Sequence, residues 1–131
     1  QKKYEFNLDW IRLFYVHGTG QNSKSILATL ETHIKEKQTI FNMSGGEQVR
    51  DYLPVEKIAE FIVNLALQSK GNGVINCCSG FPIKIVDLVK NYLAERSVSI
   101  DLNLGYYPYP DYEPFEFWGS TKKLNKTLND V

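Results

Sequence analysis

The chain has 131 residues, of which 43% are hydrophobic and 23% are charged, a composition typical of a globular domain with a packed core. Fifteen basic residues balance fifteen acidic ones, which excludes a general attraction to nucleic acid or to an anionic membrane surface. No apolar run reaches the length of a membrane span, and the first residues lack the apolar core of a signal peptide.

In chain order, the first half alternates short apolar runs with helical patterns. Gln1 to Phe6 resembles the end of a helix that has no cap before it, so we expect a piece of a longer protein. Asp9 to Val16 is almost continuously apolar, which predicts one strand buried on both faces of a parallel sheet. Ser25 to Lys37 predicts an amphipathic helix, and Thr39 to Met43 predicts a short strand. The predicted buried face of that helix consists of Ile26, Leu27, Leu30 and Ile34.

The clearest predicted helix runs from Val55 to Ser69. Val49 to Leu53 before it is expected to be extended, because Pro54 disfavours helix at the preceding residue. A glycine, Gly71 or Gly73, is expected to end the helix. Its predicted buried stripe has helical spacing and consists of Val55, Ile58, Ala59, Ile62, Val63 and Ala66.

The remaining elements repeat the alternation. Val74 to Cys78 predicts a second buried strand carrying two adjacent cysteines. Their spacing does not fit a disulfide framework or a metal site, so we expect buried free thiols, no bound metal and a reducing, cytoplasmic setting. Ser120 can cap a last short helix that reaches Leu124. The helix before it is marked by Ile85, Leu88, Val89 and Tyr92. Helices that alternate with short buried strands indicate an α/β protein.

One segment resembles a phosphate-binding loop. Gly18 to Ser25 departs from the pattern G-x-x-x-x-G-K-[ST] at one position, because Ser23 stands where the pattern has glycine. A side chain at that position hinders the close approach of backbone to phosphate. The Gly18-x-Gly20 pair alone is a weaker dinucleotide signature, since a third glycine is missing. A fragment of a P-loop NTPase therefore stays as an alternative.

Catalytic residues are hard to find in this sequence. There is no Tyr-x-x-x-Lys pair. Tyr92 has Arg96 four residues on, but it lies on the apolar face of its predicted helix. His17 and His33 have no evident nucleophile, carboxylate or metal ligand near them in the sequence, so each is expected to be a surface or hydrogen-bonded histidine. We therefore predict no catalytic residue within this chain.

Arg50 and Tyr52 are a candidate anion site. Residues two apart on an extended segment face the same side, so the Arg50-Asp51-Tyr52 segment would offer a guanidinium and a phenol hydroxyl to one ligand. A guanidinium binds phosphate oxygens in bidentate fashion and stays charged. The alternative is a surface ion pair between Arg50 and a nearby carboxylate, which would contribute little.

The order of these segments resembles a known family. Trp10 to Gly18, the Arg50-Asp51-Tyr52-Leu-Pro-Val segment that continues into a helix, and Asn76 to Gly80 at a strand end occur in that order. The pattern is similar to the extended short-chain dehydrogenase/reductase family of NAD(P)-dependent nucleotide-sugar epimerases, dehydratases and reductases. It is most similar to UDP-galactose 4-epimerase and to the bacterial enzymes that make deoxy sugars.

The resemblance implies roles for particular residues. Arg50 and Tyr52 would hold the nucleotide pyrophosphate. Phe14 and Tyr15 would lie near the nicotinamide and the sugar, so both are cofactor-binding candidates and Tyr15 is also a substrate-binding one. Further substrate-binding candidates open the helix of the nucleotide pocket or border the base, and they are Ser23, Lys24, Ser25, Thr39 and Phe41.

The resemblance also implies what lies outside this chain. Residues 1–131 would be the C-terminal, nucleotide-sugar-binding portion of a Rossmann-like protein, with a few short parallel strands and about four helices. The family's glycine-rich turn and catalytic Tyr-x-x-x-Lys would belong to roughly another 150 residues upstream. We therefore expect the parent to be an enzyme that uses NAD or NADP, and this chain alone to be inactive and not to bind either cofactor. A non-catalytic nucleotide-binding module is the alternative.

Two further expectations concern the partners of this chain. The ligand would be a nucleotide-diphosphate sugar, and the strand that begins near Trp10 would pair with a second copy to form a homodimer. The family often has a second phosphate-binding arginine before the last helix, and this chain has none there. Tyr109 or Tyr112 would substitute, Arg96 would reach in, or the phosphate would be held less tightly.

Overall fold

A computed structural model describes residues 6–68 and 70–129. The predicted helix end at the N-terminus falls almost wholly outside these residues. The chain divides into two compact units. The first unit comprises residues 1–18, 51–81 and 118–131, and the second comprises residues 19–50 and 82–117.

The first unit is built on two pairs of parallel strands with two helices. The elements, in chain order, are β1 (Asp9–Leu13), β2 (Tyr15–His17), β5 (Tyr52–Pro54), α2 (Val55–Leu67), β6 (Gly73–Cys77) and α4 (Lys122–Asn129). β1 pairs with β6, and β2 pairs with β5, both in parallel. The parallel pairing agrees with the sequence expectation of an α/β protein.

The core of the first unit lies on one side of the β1–β6 pair. Ile75 is fully buried and packs in a cluster with Leu65 of α2 and Leu124 of α4, against which Ile11 packs. Leu53 and Cys77 belong to an adjoining cluster with Ile58. Burial of these aliphatic side chains is the main source of stability for the unit.

The predicted single strand over 9–16 is wrong in two respects. The chain leaves the strand conformation at Phe14, so β1 and β2 are separate strands. Nor is β1 buried on both faces, since the exposed fraction is 62% for Trp10 and 52% for Leu13. A strand needs a packed layer against each face to be buried on both. In the described residues a core cluster packs against β1 at Ile11, but not at Trp10 on the opposite face or at Leu13 at the end of the strand.

The predicted buried stripe of α2 is also wrong. Ile58 is buried as predicted, but Ile62 and Val63 are exposed, and the helix instead buries Leu65 and half-buries Phe61. The polar residues Glu56, Lys57, Glu60 and Asn64 lie on one face, and the remaining apolar face is wider than one stripe, so the spacing could not select which part of it is buried. No glycine ends it: α2 stops at Leu67, and the positive φ of Gly73 (69°) is used where β6 begins.

The second unit contains two helices and two further strand pairs. Its elements are α1 (Ile26–Lys35), β3 (Ile40–Asn42), β4 (Val49–Arg50), β7 (Ile83–Lys84), α3 (Ile85–Glu95) and β8 (Asp101–Asn103). β3 pairs in parallel with β8, and β4 pairs antiparallel with β7. Leu27, Leu30 and Val89 are among its most buried side chains, which confirms the predicted inner faces of α1 and α3.

Four helices occur in the described residues, as expected. The last one begins at Lys122 and continues to Asn129, beyond the predicted end at Leu124. None of the described helices is both long and apolar enough to cross a bilayer.

Candidate functional site

Arg50 occupies a buried position in the second unit. It is 2% exposed and ends β4. Its Nη1 donates to the carbonyl oxygens of Val49 at 2.8 Å and of Phe115 at 3.0 Å. These two bonds fix the plane of the guanidinium, because both acceptors belong to the backbone. The group is therefore held in one orientation before any ligand arrives.

The other end of the same guanidinium meets a carboxylate. Arg50 Nη2 lies 3.0 Å from Glu113 Oε2, and the Glu113 side chain is 38% exposed. The alternative interpretation of Arg50, an ion pair, is therefore present, but the arginine is in the interior and only the glutamate reaches solvent. Because the arginine is buried, the electrostatic attraction within this pair is stronger than that between two surface charges.

The segment 22–25 forms a capping turn before α1. Lys24 N–H donates to Asn22 Oδ1 at 2.9 Å, and Ser25 N–H donates to the Asn22 carbonyl at 2.9 Å. Ser25 Oγ donates to Gln21 Oε1 at 3.0 Å. Ser23 and Lys24 are exposed. In a phosphate-binding loop these backbone N–H groups would point at phosphate, so their use within the turn disfavours the P-loop interpretation.

Of the two predicted base-binding residues, Thr39 lies at the surface and Phe41 lies in the core. Thr39 is exposed and precedes β3, and its carbonyl accepts the N–H of Asp101 at 2.9 Å. Phe41 is 2% exposed, and its ring packs edge-on against His33 with centroids 5.1 Å apart. His33 Nδ1 is also 2.9 Å from the Thr29 carbonyl oxygen, so this histidine is hydrogen-bonded as expected.

The aromatic candidates of the first unit stand on neighbouring strands. Tyr15 and Tyr52 are in register on β2 and β5, and their half-buried rings have centroids 5.3 Å apart. Phe14 packs closely against Gly119: a Cβ added to that glycine would lie 2.6 Å from Phe14 Cζ. The structure therefore brings Tyr15 and Tyr52 together, while Phe14 serves a contact with the segment that leads into α4.

A residue without a predicted role, Asp51, organises this end of the first unit. It is fully buried, and its carboxylate accepts the N–H groups of Ser79 at 2.7 Å, Gly80 at 2.9 Å and Gly119 at 3.4 Å. Its own carbonyl accepts the N–H of Tyr15 at 3.1 Å. Asp51 therefore fixes three backbone segments around β2 and β5. Only its place next to Arg50 in the sequence hinted at importance.

Tyr92 is confirmed as a packing residue in the second unit. Its hydroxyl donates to Glu31 Oε2 at 2.5 Å, and the Arg96 guanidinium lies 3.4 Å from the ring centroid. Burial, followed by the bond to Glu31, raises the pKa of Tyr92 to about 12. An acid/base tyrosine needs a pKa shifted towards neutrality, so the Tyr92–Arg96 pair does not replace the missing catalytic pair.

The three candidates for the missing second phosphate ligand are differently placed. Tyr109 OH accepts the N–H of Glu47 at 3.1 Å. Arg96 is engaged with Tyr92 and lies 3.7 Å from Glu31. Tyr112 is 87% exposed. Arg96 therefore interacts with Tyr92 of α3 and with Glu31 of α1.

The cysteines and acidic groups do not form a reactive or metal-binding centre. Cys77 and Cys78 are buried and free, as predicted, and burial raises the pKa of Cys78 to about 11. Such a thiol is a poor nucleophile. Within residues 6–68 and 70–129, no cluster of three or more His, Cys, Asp or Glu side chains is arranged to hold a metal ion.

Comparison with known proteins decides the family. A profile of the NAD dependent epimerase/dehydratase family matches residues 1–78. The chain belongs to this family. A curated family relative, dTDP-6-deoxy-L-talose 4-dehydrogenase (NAD(+)) of Aggregatibacter actinomycetemcomitans, is 28% identical over 116 residues. That match covers 88% of this chain but 43% of the relative, so the chain spans less than half the length of this dehydrogenase.

Solved structures agree with the assignment to the epimerase/dehydratase fold. A UDP-N-acetylglucosamine 4-epimerase from Methanobrevibacter ruminantium in complex with UDP-N-acetylmuramic acid has a TM-score of 0.78 and 24% identity, covering 91% of this chain and 39% of its own. RMD from Pseudomonas aeruginosa, complexed with NADPH, has a TM-score of 0.78 and 20% identity, covering 92% of this chain and 41% of its own. The predicted α/β, Rossmann-like fold is confirmed.

Proposed function

We propose that this chain is the nucleotide-sugar-binding portion of an NAD(P)-dependent epimerase, dehydratase or keto-sugar reductase. The observation that carries the proposal is Arg50, a buried guanidinium held in one orientation by two backbone carbonyls. A fixed guanidinium is suited to a diphosphate, whose oxygens it can bind with little loss of side-chain entropy. Membership of the epimerase/dehydratase family supports the same ligand class.

Other residues of the second unit would complete the nucleotide contact. Thr39 is exposed, so we propose that its hydroxyl contacts the base while the buried ring of Phe41 supports the pocket from behind. Ser23, Lys24 and Ser25 form the turn that enters α1. Their proposed contact is at the exposed side of that turn, where Lys24 adds a positive charge.

Binding of the cofactor is proposed to depend on residues outside this chain. The rings of Phe14 and Tyr15 in the first unit are half-buried, which suits contact with a flat nicotinamide ring. The sequence has no G-x-x-G-x-x-G turn to hold the dinucleotide phosphates. The fit is therefore partial, and hydride transfer and acid/base chemistry are assigned to the parent enzyme rather than to these residues.

Calorimetric titration of the 131-residue chain tests the assignment. We expect saturable binding of UDP or dTDP, or of a sugar attached to either, and no measurable binding of NAD or NADP. Lys24→Ala should weaken binding only modestly, because it removes one exposed positive charge, whereas a P-loop would depend on this lysine above all. A low-micromolar dissociation constant for NAD, or loss of nucleotide binding in Lys24→Ala, would refute the proposed division of roles.

We also propose that the chain self-associates through the first unit, in a cytoplasmic setting consistent with its free cysteines. Trp10 and Leu13 of β1 are more than half exposed, and so is Val63 of α2. Within the described residues, β1 has a strand partner, β6, on one edge. A strand edge beside exposed apolar side chains readily pairs with another chain.

Sedimentation equilibrium at micromolar concentration measures this association. We expect a dimer, and we expect Trp10→Lys to shift it towards monomer because a buried lysine would have to be desolvated. Ile40→Lys is the matched control, since Ile40 is 54% exposed in the second unit. A wild-type chain that sediments as a monomer would contradict the proposal, as would equal dissociation by both substitutions.

A further inference from the structure

We propose that Glu113 is a specificity-determining residue that competes with the phosphate groups of the substrate for Arg50. This inference rests on the proposed function, because it takes Arg50 to be the phosphate-binding residue. It adds that the wild-type chain meets its ligand with this guanidinium already paired to a carboxylate. The affinity for a diphosphate is then set by an exchange of one anion for another.

The geometry makes Glu113 the displaceable partner. Two donors of Arg50 Nη1 are bound to carbonyls of Val49 and Phe115, which belong to the backbone and stay in place. Nη2 instead contacts a side chain, Glu113 Oε2, at 3.0 Å. Because the Glu113 side chain is 38% exposed and that of Arg50 is 2% exposed, the carboxylate can turn into water while the guanidinium remains fixed.

The charges lead to the same conclusion. Removing the partner carboxylate of a buried arginine leaves an uncompensated charge, which strongly destabilises the folded protein unless another anion takes its place. An incoming phosphate satisfies the same Nη2 donor and compensates the same charge. Displaced Glu113 loses little, because a half-exposed carboxylate is rehydrated readily. Exchange is therefore favourable only for an anion that binds the guanidinium better than a single carboxylate does.

The surrounding loop strengthens the competition. Residues 104–117 contain Asp111, Glu113 and Glu116 but neither lysine nor arginine. The loop offers the phosphate no second cation, and its carboxylates repel an approaching anion. Glu113 thereby excludes singly charged ligands and admits those with several phosphate oxygens.

Titration of the full chain with inorganic pyrophosphate and with UDP tests the inference. Glu113→Gln is expected to bind both at least about tenfold more tightly than the wild type, because the competing charge is gone while the hydrogen-bonding shape is kept. Without an added anion, the variant should melt at a lower temperature than the wild type, and pyrophosphate should restore it. Glu116→Gln, which removes another negative charge of the same loop, is the matched control and should gain much less affinity than Glu113→Gln.

Each outcome has a definite meaning. Glu113→Asp keeps the charge and should fold like the wild type with intermediate affinity, so a Gln variant that fails to fold still leaves a test. Equal affinities for wild type and Glu113→Gln, or an equal gain in Glu116→Gln, would overturn the role of Glu113. If wild type binds UDP and Glu113→Gln binds it no better, the proposed function survives and this inference fails. If Glu113→Gln gains affinity for pyrophosphate but none of the variants binds UDP more tightly than pyrophosphate, the inference survives and the nucleotide assignment fails.

Discussion

Replacing Asp51 with alanine is expected to lower the free energy of unfolding of the first unit by about 3 kcal/mol or more, the range for buried donors that lose a charged acceptor. The side chain is fully buried and accepts the N–H groups of Ser79, Gly80 and Gly119. Alanine at this position would leave these donors without their charged acceptor. Asp51→Asn should cost less, because one of its two acceptor oxygens remains.

Urea unfolding followed by tryptophan fluorescence measures this effect. The two tryptophans, Trp10 and Trp118, both lie in the first unit, so their emission reports on it. Asp111→Ala serves as control, since Asp111 is an exposed aspartate of the second unit, and it should leave the unfolding curve unchanged. If Asp51→Ala unfolds at the same urea concentration as the wild type, the carboxylate does not hold the segments at Ser79–Gly80 and Gly119 in place.

Replacing Arg50 separates the contribution of this residue to stability from its contribution to binding. Arg50→Ala is expected to destabilise the second unit by about 2–4 kcal/mol, because it removes a buried side chain with its hydrogen bonds to Val49, Phe115 and Glu113 and leaves a cavity. Arg50→Met should recover much of that loss, since an apolar side chain of similar length fills the space. Both variants should lose binding of UDP and pyrophosphate, because neither carries a charge.

Far-UV circular dichroism during urea unfolding gives the stability, and calorimetry with UDP gives the binding. Arg12→Met is the matched control, because Arg12 is an exposed arginine of β1 and should affect neither quantity. Arg50→Met that still binds UDP like the wild type would show that Arg50 is a structural ion-pair partner of Glu113 and not a phosphate ligand.

The buried face of a helix was predictable from the sequence where apolar residues recur at one clear spacing. The inner faces of α1 and α3 follow from Leu30 and Val89 at helical spacing. Each of these helices has one apolar face, so the period alone selects the side that is buried. The burial of Cys77 and Cys78 follows instead from the apolar run in which they lie, with Cys77 at the end of β6 and Cys78 directly after it.

Predictions failed where the pattern admits several answers. The apolar face of α2 is wide, and whether Ile62 or Leu65 is buried depends on which layer packs against it. The run from Trp10 to Val16 is apolar except for Arg12, so its pattern predicts one strand although the chain leaves the strand conformation at Phe14. Both features are determined by tertiary packing, and the spacing of apolar residues along the chain carries no information about that packing.

The sequence predicted which residue types form the candidate site, but not the burial and the contacts of those residues. Arg50 was singled out because a guanidinium suits a phosphate. Its burial and its pairing with Glu113, 63 residues away in the chain, depend on a loop whose sequence has no regular pattern. The role of Asp51 was missed for the same reason, since its three donors come from distant segments and are all backbone groups.

The central claim is that the second unit holds the nucleotide of a nucleotide sugar around Arg50, and nitrogen-15 NMR of the labelled chain during titration with UDP or dTDP tests it most directly. We predict saturable shifts at the amides of Arg50, of Ser23 to Ser25 and of Thr39, with larger amplitude and tighter saturation in Glu113→Gln, while NAD produces none of comparable affinity. The absence of saturable shifts at these amides in both wild type and Glu113→Gln, or shifts confined to other residues, would contradict the account.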